Sequence, residues 1–322
     1  MRKKVLGNSD MEISVIGLGT WAIGGTGYNY SWGSQDDKDS IETIKLAIDF
    51  SLNWIDTASA YGLGHSEEIV GIATKEFRDR VFIFTKLGKS WDEKGVLGDG
   101  LSGRTVRQET EQSLRRLGVD SIDLMQIHWP RPDSEIESAW EQMCKLMDEK
   151  KIRAIGVSNF NVGQLERIKK IRLPASLQPP YCVFRREIEK EILPWCAENN
   201  VGVICYSPMY YGLLAEKFDQ QRISKMAPDD WRRKLPELTT NHSIYCQFYD
   251  KFQEIADENG MNTGQLAISW VLANPSVTGA IVGARKPGQI KQILSNCSFE
   301  ISQKTKQRID ELLNQYPLLV KR

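Results

Sequence analysis

The chain lacks the features that would mark a nucleic-acid-binding, membrane-spanning or disulfide-built protein. Its 322 residues carry 42 Lys+Arg against 42 Asp+Glu. No surplus of cations is left to neutralise phosphates, so sequence-independent nucleic-acid binding loses its usual source. Long apolar runs are missing too: stretches such as Val81-Phe82-Ile83-Phe84 fall far below the ~18 residues that a membrane helix needs. Met1-Arg2-Lys3-Lys4 imitates the start of a signal peptide, but Asn8, Ser9, Asp10 and Glu12 stand where an apolar stretch should follow. A cytoplasmic protein with no membrane partner is expected. The six cysteines (Cys144, Cys182, Cys196, Cys205, Cys246 and Cys297) occur singly, so no CxxC pair serves zinc or redox work. They read as small buried hydrophobes with free thiols. Only three histidines are present, His65, His128 and His242; that count excludes a His-rich metal site, while mixed-ligand sites stay open. No Pro/Gly/Ser-rich linker divides the chain, and residues 1–322 are read as one domain.

What is present is a repeat of pattern. Short apolar runs alternate with amphipathic stretches of helical period along the whole chain, as repeated strand-helix units require. Eight runs read as strands: 15–18, 54–56, 81–85, 122–128, 154–157, 176–178, 201–206 and 279–282. Several are continuously apolar, which suits parallel strands buried on both faces. Between them, Ile136, Ala139, Trp140, Met143, Leu146 and Met147 recur at helical spacing. Ser134 with Glu137 and Asn161 with Gln164 are placed to form capping boxes, and Gly118 to stop the helix that carries Leu114 and Leu117. Eight such units imply a (β/α)8 TIM barrel, an α/β fold. Two features lie outside the repeat. Val5-Leu6 and residues 12–14 predict an N-terminal β-hairpin able to cap the barrel bottom. The long interval 208–278 holds a polar loop, 217–241, and helices near 244–258 and 265–273, and an excursion of that length is usually functional.

In such a barrel the reactive groups stand at the C-terminal ends of the strands. Polar residues close the apolar runs there: Asp56, Lys86, His128, Ser158-Asn159, Gln178 and Tyr206-Ser207. Singly, Asp56 reads as a helix cap, Lys86 as a snorkelling cation and His128 as a satisfied core histidine. Together they need another explanation, because a purely structural barrel has no reason to put Asp, Lys and His at one end of three successive strands. An Asp56 carboxylate keeps Lys86 protonated. Lys86 then acts on Tyr61, a phenol whose ordinary pKa near ~10 makes it a reluctant acid. A cation about 4 Å away at an effective dielectric near 20 is worth up to ~4 kcal/mol, or roughly three pKa units before the Asp offset. His128 orients a substrate oxygen beside the phenol. A proton donor aimed at an oxygen is what carbonyl reduction requires.

The strings NWIDTASAYG (53–62), FTK (84–86), IDLMQIHWP (122–130), IRAIGVSNF (152–160), LQPPY (177–181), YSPMYYGLL (206–214) and IVGARKPGQ (281–289) resemble the aldo-keto reductases in order and spacing over nearly the whole chain. With LGTWAIGG (18–25), the chain is most similar to the bacterial NADPH-dependent branch related to general-stress reductases. The resemblance implies a catalytic tetrad in which Tyr61 is the general acid, Asp56 and Lys86 lower its pKa, and His128 orients the carbonyl. It also implies NADPH as cofactor, with Thr20, Trp21 and Asp56 near it and Ser158, Asn159 and Gln178 on the carboxamide. Tyr206 would stack on the nicotinamide, and Ser207, Pro208, Met209, Tyr210, Tyr211 and Gly212 would follow the pyrophosphate. Gly283 and Ala284 would also border the cofactor, and Arg285 and Lys286 would meet the adenosine 2'-phosphate, which a planar guanidinium can bind through two oxygens, with Gln289 near adenine. Gln292 and Ile293 stand where many relatives carry Glu and Asn.

One rival signal is present. Gly17-Leu18-Gly19-Thr20-Trp21-Ala22 fits GxGxxA after an apolar strand, with Asp36 to Asp39 about twenty residues on, as a Rossmann fingerprint would require. Gly24-Gly25-Thr26-Gly27 then follows, too glycine-rich to open the required helix, and the Rossmann reading is rejected. Trp21, Tyr28, Tyr30, Trp32, Trp91, Trp129, Tyr210 and Tyr211 fall in predicted loops at the active end. About half of them are expected to line a pocket for flat or apolar carbonyl compounds or sugar rings, and the rest to pack loops. Trp21, Tyr61, His128 and Trp129 are the expected substrate contacts. The main reading is a reductase acting on a small aldehyde or ketone. A slow, cofactor-occupied sensor or channel-type subunit and a sugar-modifying enzyme that retains NADP remain as alternatives, since a barrel by itself specifies no function.

Overall fold

The chain enters through an antiparallel hairpin, β1 (Lys3–Val5) and β2 (Glu12–Ser14), before its first barrel strand, β3 (Ile16–Gly19). In this computed structural model, which describes residues 1–26, 31–228 and 230–321, the barrel continues as α1 (Asp37–Asp49), β4 (Trp54–Asp56), α2 (His65–Thr74) and β5 (Phe82–Leu87). A small hairpin, β6 (Lys89–Trp91) and β7 (Leu97–Asp99), precedes α3 (Gly103–Leu117). Then come β8 (Ile122–Ile127), α4 (Ile136–Asp148), β9 (Ile152–Ser158), α5 (Val162–Lys169), β10 (Ser176–Gln178), α6 (Ile192–Glu198) and β11 (Gly202–Cys205). After β11 the chain makes its excursion through α7 (Gln220–Ser224) and α8 (His242–Glu258), and returns by α9 (Thr263–Leu272) to β12 (Gly279–Gly283), α10 (Pro287–Leu294) and α11 (Gln303–Gln315). The eight strands β3, β4, β5, β8, β9, β10, β11 and β12 pair in parallel, and β12 closes on β3 with Ala280 opposite Ile16 and Gly283 opposite Gly19. The expected TIM barrel is therefore observed, each strand within a few residues of its predicted span.

Local chemistry explains most element ends. Asn161 and Gln164 form the reciprocal capping box that opens α5, and Gly118 takes a left-handed φ of 64° to stop α3. The box expected at Ser134 and Glu137 does not form. A 3-10 turn at Asp133–Glu135 occupies that position, Glu135 is the N-cap of α4, and the Glu137 carboxylate is taken by Arg167 across the gap to α5 at 2.5 Å. A charged partner on a neighbouring helix outcompetes a local cap.

The hairpin closes the barrel bottom, as its position predicted. Leu6, Met11 and Ile13 are buried in one cluster with Trp54, Phe84, Leu124, Ile204 and Ile281 from the strands, each such side chain contributing roughly 1.5–3 kcal/mol on burial. Trp54 ties the two parts together, its Nε1 donating to the Ser14 carbonyl at 2.7 Å. That ring also accounts for the glycine pattern at 17–19. A Cβ on Gly17 would lie 2.2 Å from the Trp54 ring, and one on Gly19 2.6 Å from Ile281. The glycines make room for side chains that fill the barrel interior, not for a pyrophosphate. All six cysteines are free thiols, and among the described residues no helix is long and apolar enough to cross a membrane.

The Trp54 contact sets a stability prediction. Gly17→Ala forces a methyl group into a buried, hydrogen-bonded ring and should cost about 1–3 kcal/mol, as overpacking does. A lowered urea midpoint with an unchanged slope is the expected result; an unchanged midpoint would mean that the ring has room to move.

Candidate active site

Asp56, Lys86 and His128 stand at the ends of adjacent strands, so barrel geometry alone brings them together; Tyr61 opens the 3-10 turn Tyr61–Gly64 after β4. Lys86 and Asp56 are 1% and 2% exposed. The Lys86 ammonium donates to Asp56 Oδ1 at 2.5 Å, to the Thr57 carbonyl at 2.9 Å and to the Tyr61 hydroxyl at 3.4 Å. An ammonium has three N–H bonds, and each has an acceptor here. Since the phenol oxygen accepts from Lys86, its own O–H is left to point elsewhere. Asp56 Oδ2 accepts from Gln178 at 2.8 Å and from Gln126 at 3.3 Å. The His128 ring meets the Tyr61 ring edge to face, centroids 5.7 Å apart.

Burial, with Asp56 adding to it, raises the Tyr61 phenol well above its ordinary value. This corrects the expectation that Lys86 draws the phenol down in the resting site: exclusion of water and the Asp56 charge outweigh the ammonium. Tyr61 is accordingly a protonated phenol at neutral pH. Burial pushes Lys86 below its usual range against the pull of Asp56. His128 is held well below its ordinary value by burial and by the nearby lysines, so it is a neutral imidazole at pH 7. Its Nδ1 is buried and has no hydrogen-bond partner among the described residues.

The tetrad opens into a cavity of about 960 Å³. Thr20, Trp21, Asp56, Ser158, Asn159, Gln178, Tyr206, Ser207, Pro208, Met209, Tyr211 and Gly212 line it, and it runs on to Gly283, Ala284, Arg285 and Gln289, with Gln292 and Ile293 at the far end. The expected cofactor residues thus border one continuous space, with two exceptions. Tyr210 turns its ring to Phe184 and its hydroxyl to Glu237 at 2.9 Å. Lys286 is exposed beyond the wall. Asn159, Ser207, Tyr210 and Tyr211 hold positive φ values of 63°, 57°, 45° and 58°, a left-handed backbone that non-glycine residues adopt at a cost and that collects at functional sites. Around Gln178 the hydrogen bonds are ordered. Its Nε2 goes to Asp56 and Gln126, which leaves Oε1 as an acceptor toward the cavity.

Arg285 behaves differently from the reading of the sequence. Its guanidinium reaches back to the segment 32–35, donating to the Trp32 carbonyl at 2.9 Å, to Gln35 Oε1 at 2.8 Å and to the Ser34 carbonyl. At the mouth, Trp21, Trp32, Trp129 and Tyr211 line the cavity. Trp91 does not; it lies under Arg116 instead. Tyr28 and Tyr30 lie outside the described residues.

Sequence reasoning missed three groups. Gln126, buried in the barrel, supports Asp56; the available signal was a polar residue two before His128, hence on the same face of the strand. Trp231, from the excursion, stacks on Trp21 with centroids 5.8 Å apart and meets Tyr211 edge-on at 4.8 Å. Arg232, next to it in the chain, pairs with Asp230 at 2.6 Å while lying over the Trp32 ring. A tryptophan in an otherwise polar loop was the sign, because a large ring gains little by staying in water.

The comparisons with known proteins agree with this geometry. Residues 15–314 match the model of the aldo/keto reductase family. The aldo-keto reductase YhdN of Bacillus subtilis is 38% identical over 96% of this chain and 92% of its own. The NADH-specific methylglyoxal reductase of Escherichia coli is 32% identical over 94% and 95%. Among solved structures, a glycerol dehydrogenase from Gluconobacter oxydans superposes with a TM-score of 0.88 at 37% identity, covering 98% of this chain and 95% of that one.

Behind Lys86 lies a charged support. Glu67 is fully buried, accepts from Thr85 at 2.5 Å and pairs with Arg116 at 2.7 Å. Glu109 accepts from the Gly88 amide at 2.7 Å, while its other oxygen is buried without a partner. Burial pushes the Glu109 carboxyl up to about 7. A carboxyl raised in the folded state favours folding fully only below its unfolded pKa, and that stability is lost as pH rises toward 7. Glu109→Gln should therefore gain stability over the parent progressively between about pH 4.5 and 7, by up to ~3 kcal/mol, and then plateau. Urea titrations at pH 5, 6, 7 and 8 measure this, and a difference that does not change with pH would refute it.

Proposed function

The chain belongs to the aldo/keto reductase family and is an oxidoreductase of that family; from that premise we propose that it reduces an aldehyde or ketone to an alcohol with NADPH, Tyr61 supplying the proton. The observation that carries the reading is the ordering of hydrogen bonds at Lys86. With all three ammonium donors engaged, one of them on the phenol oxygen, Tyr61 keeps its own proton to donate to a ligand in the cavity that it lines.

A bound NADPH would supply the hydride to the carbonyl carbon. Every other part falls to this chain. As the C=O π bond breaks toward oxygen, Tyr61 passes its proton to that oxygen, and the ammonium of Lys86 stabilises the phenolate left behind. A phenol of high resting pKa suits this order of events, because it stays protonated until negative charge develops next to it. Neutral His128 adds a hydrogen bond to the same oxygen. Gln178, Asn159 and Ser158 are placed to hold a carboxamide, and the free acceptor on Gln178 together with the unpartnered His128 nitrogen supports a polar ligand in that corner. Arg285 and exposed Lys286 are the cations for a 2'-phosphate. NADPH use is supported by that pair of cations, while one relative is by name NADH-specific.

The test is oxidation of NADPH and of NADH with 4-nitrobenzaldehyde by the parent and by Tyr61→Phe. Turnover with NADPH should exceed that with NADH and fall by roughly 10²–10⁴ in the variant, the usual contribution of a positioned general acid, while fluorescence quenching shows that the variant still binds the dinucleotide. Equal rates in the two proteins would remove Tyr61 from its role. Faster turnover with NADH would overturn the cofactor assignment.

A further inference from the structure

Six Lys or Arg side chains line the cavity against two carboxylates, Asp56 and Glu216. Most of these cations have partners. Arg222 pairs with Glu216, Lys89 with Asp99 at 2.5 Å and Arg232 with Asp230 at 2.6 Å, and Arg285 holds the segment 32–35. Arg131 lies over the Trp129 ring at the rim. Arg185, beside the Tyr211 hydroxyl, has the loosest carboxylate pairing of those in the wall. Its Nε is buried with no hydrogen-bond partner among the described residues. The carboxylate it comes nearest to among the described residues is Glu187, 3.7 Å away and 41% exposed.

The position of Arg185 is fixed by the backbone. Cys182 and Arg185 bond reciprocally, amide to carbonyl, at 3.3 and 3.0 Å, and the next residue donates to the Lys321 carbonyl at 2.8 Å. The guanidinium is thereby presented to the phenols of Tyr206 and Tyr211. Tyr206 is within electrostatic reach of both Arg185 and Tyr61, which sets the cation on the same stretch of wall as the proton donor. Tyr211 in turn meets Trp21 and Trp231 edge-on at the mouth. Arg185 accordingly belongs to the aromatic, substrate-facing part of the cavity. A part-desolvated guanidinium whose one carboxylate partner is 3.7 Å away and exposed is incompletely neutralised, and the donor edge it brings to the cavity wall fits a carboxylate or phosphate through two oxygens.

We propose that Arg185 is an anion subsite of the substrate pocket, so that the preferred carbonyl compound carries a carboxylate or phosphate group at the end away from its carbonyl. This rests on the reading of Tyr61 as the proton donor to a carbonyl. An anion at Arg185 then orients the substrate with its carbonyl at Tyr61 and His128, while the aromatic mouth covers the carbon skeleton between them.

The test compares 4-carboxybenzaldehyde with benzaldehyde as substrates of the parent, Arg185→Met and Arg185→Lys. The ratio of kcat/KM for the charged over the uncharged aldehyde should fall roughly tenfold to a hundredfold in Arg185→Met, the range for a lost charge-assisted hydrogen bond, and be kept in part by Arg185→Lys. Equal losses on both aldehydes would make Arg185 a merely structural residue and overturn the proposal. So would a weakened Kd for NADPH that accounts for the change, since the cation would then serve a cofactor phosphate. Should the parent reduce neither aldehyde, the reductase reading fails by itself, and the subsite is read by calorimetry of terephthalate against benzoate, with and without NADP+. Tighter binding of terephthalate that disappears in Arg185→Met supports the subsite, and identical binding of both acids in the two proteins overturns it.

Discussion

The buried pair of Lys86 and Asp56 is the constraint from which the rest of the site follows. Two charges almost wholly removed from water cost several kcal/mol each in desolvation, and their attraction offsets this only when the remaining lone pairs and protons are satisfied. Here every one of those groups has a partner. Lys86 is completed by Thr57 and Tyr61, and Asp56 by Gln126 and Gln178. Those partners come from three different strands or the turns after them, and Lys86 itself from a fourth, so the pair is satisfied only if the barrel closes in one register. The pairings Asp56 with Phe84, Lys86 with Gln126 and Gln178 with Ser158 are that register.

The same requirement orders the chemistry. Lys86 has three donors and three acceptors around it, and the phenol oxygen is the third of them, at 3.4 Å. The proton of Tyr61 is therefore not the one used in that contact. Glu67 and Glu109, paired or bonded behind β5, fix the strand end that carries Lys86. The cation is thus positioned by carboxylates that do not line the cavity, which is how a site is kept in productive geometry before a ligand arrives.

How much of this was legible in the sequence depended on the range of the interaction. The eight strands were legible because parallel strands buried on both faces leave continuous apolar runs, and the polar residues that end them, Asp56, Lys86 and His128, stand out against that background. The glycines at 17 and 19 were correctly denied a Rossmann role, but their actual purpose, space for Trp54 and Ile281, depends on residues far along the chain and could not be read locally. Ser134 and Glu137 satisfied a local capping rule and lost to Arg167. Trp231 and Gln126 were overlooked for the same reason: their partners, Trp21 and Asp56, are distant in sequence. The direction of the Tyr61 shift was missed because a pairwise estimate of charge omitted burial, the larger effect.

Arg285 shows how a residue can be placed correctly and still be understood differently. Its position at the opening of α10 matches a phosphate-binding cation, yet its guanidinium is already held in plane by the carbonyls of Trp32 and Ser34 and by Gln35. A side chain fixed in this way has little rotamer freedom left to lose. The segment it holds also carries Trp32, which packs edge-on against Trp21 and Trp231 at the other end of the cavity. One guanidinium therefore sets the wall where a dinucleotide phosphate would lie and, through Trp32, the aromatic mouth through which a substrate would enter. The two ends of the site are built on a single loop, and that loop can be in place for one only when it is in place for the other.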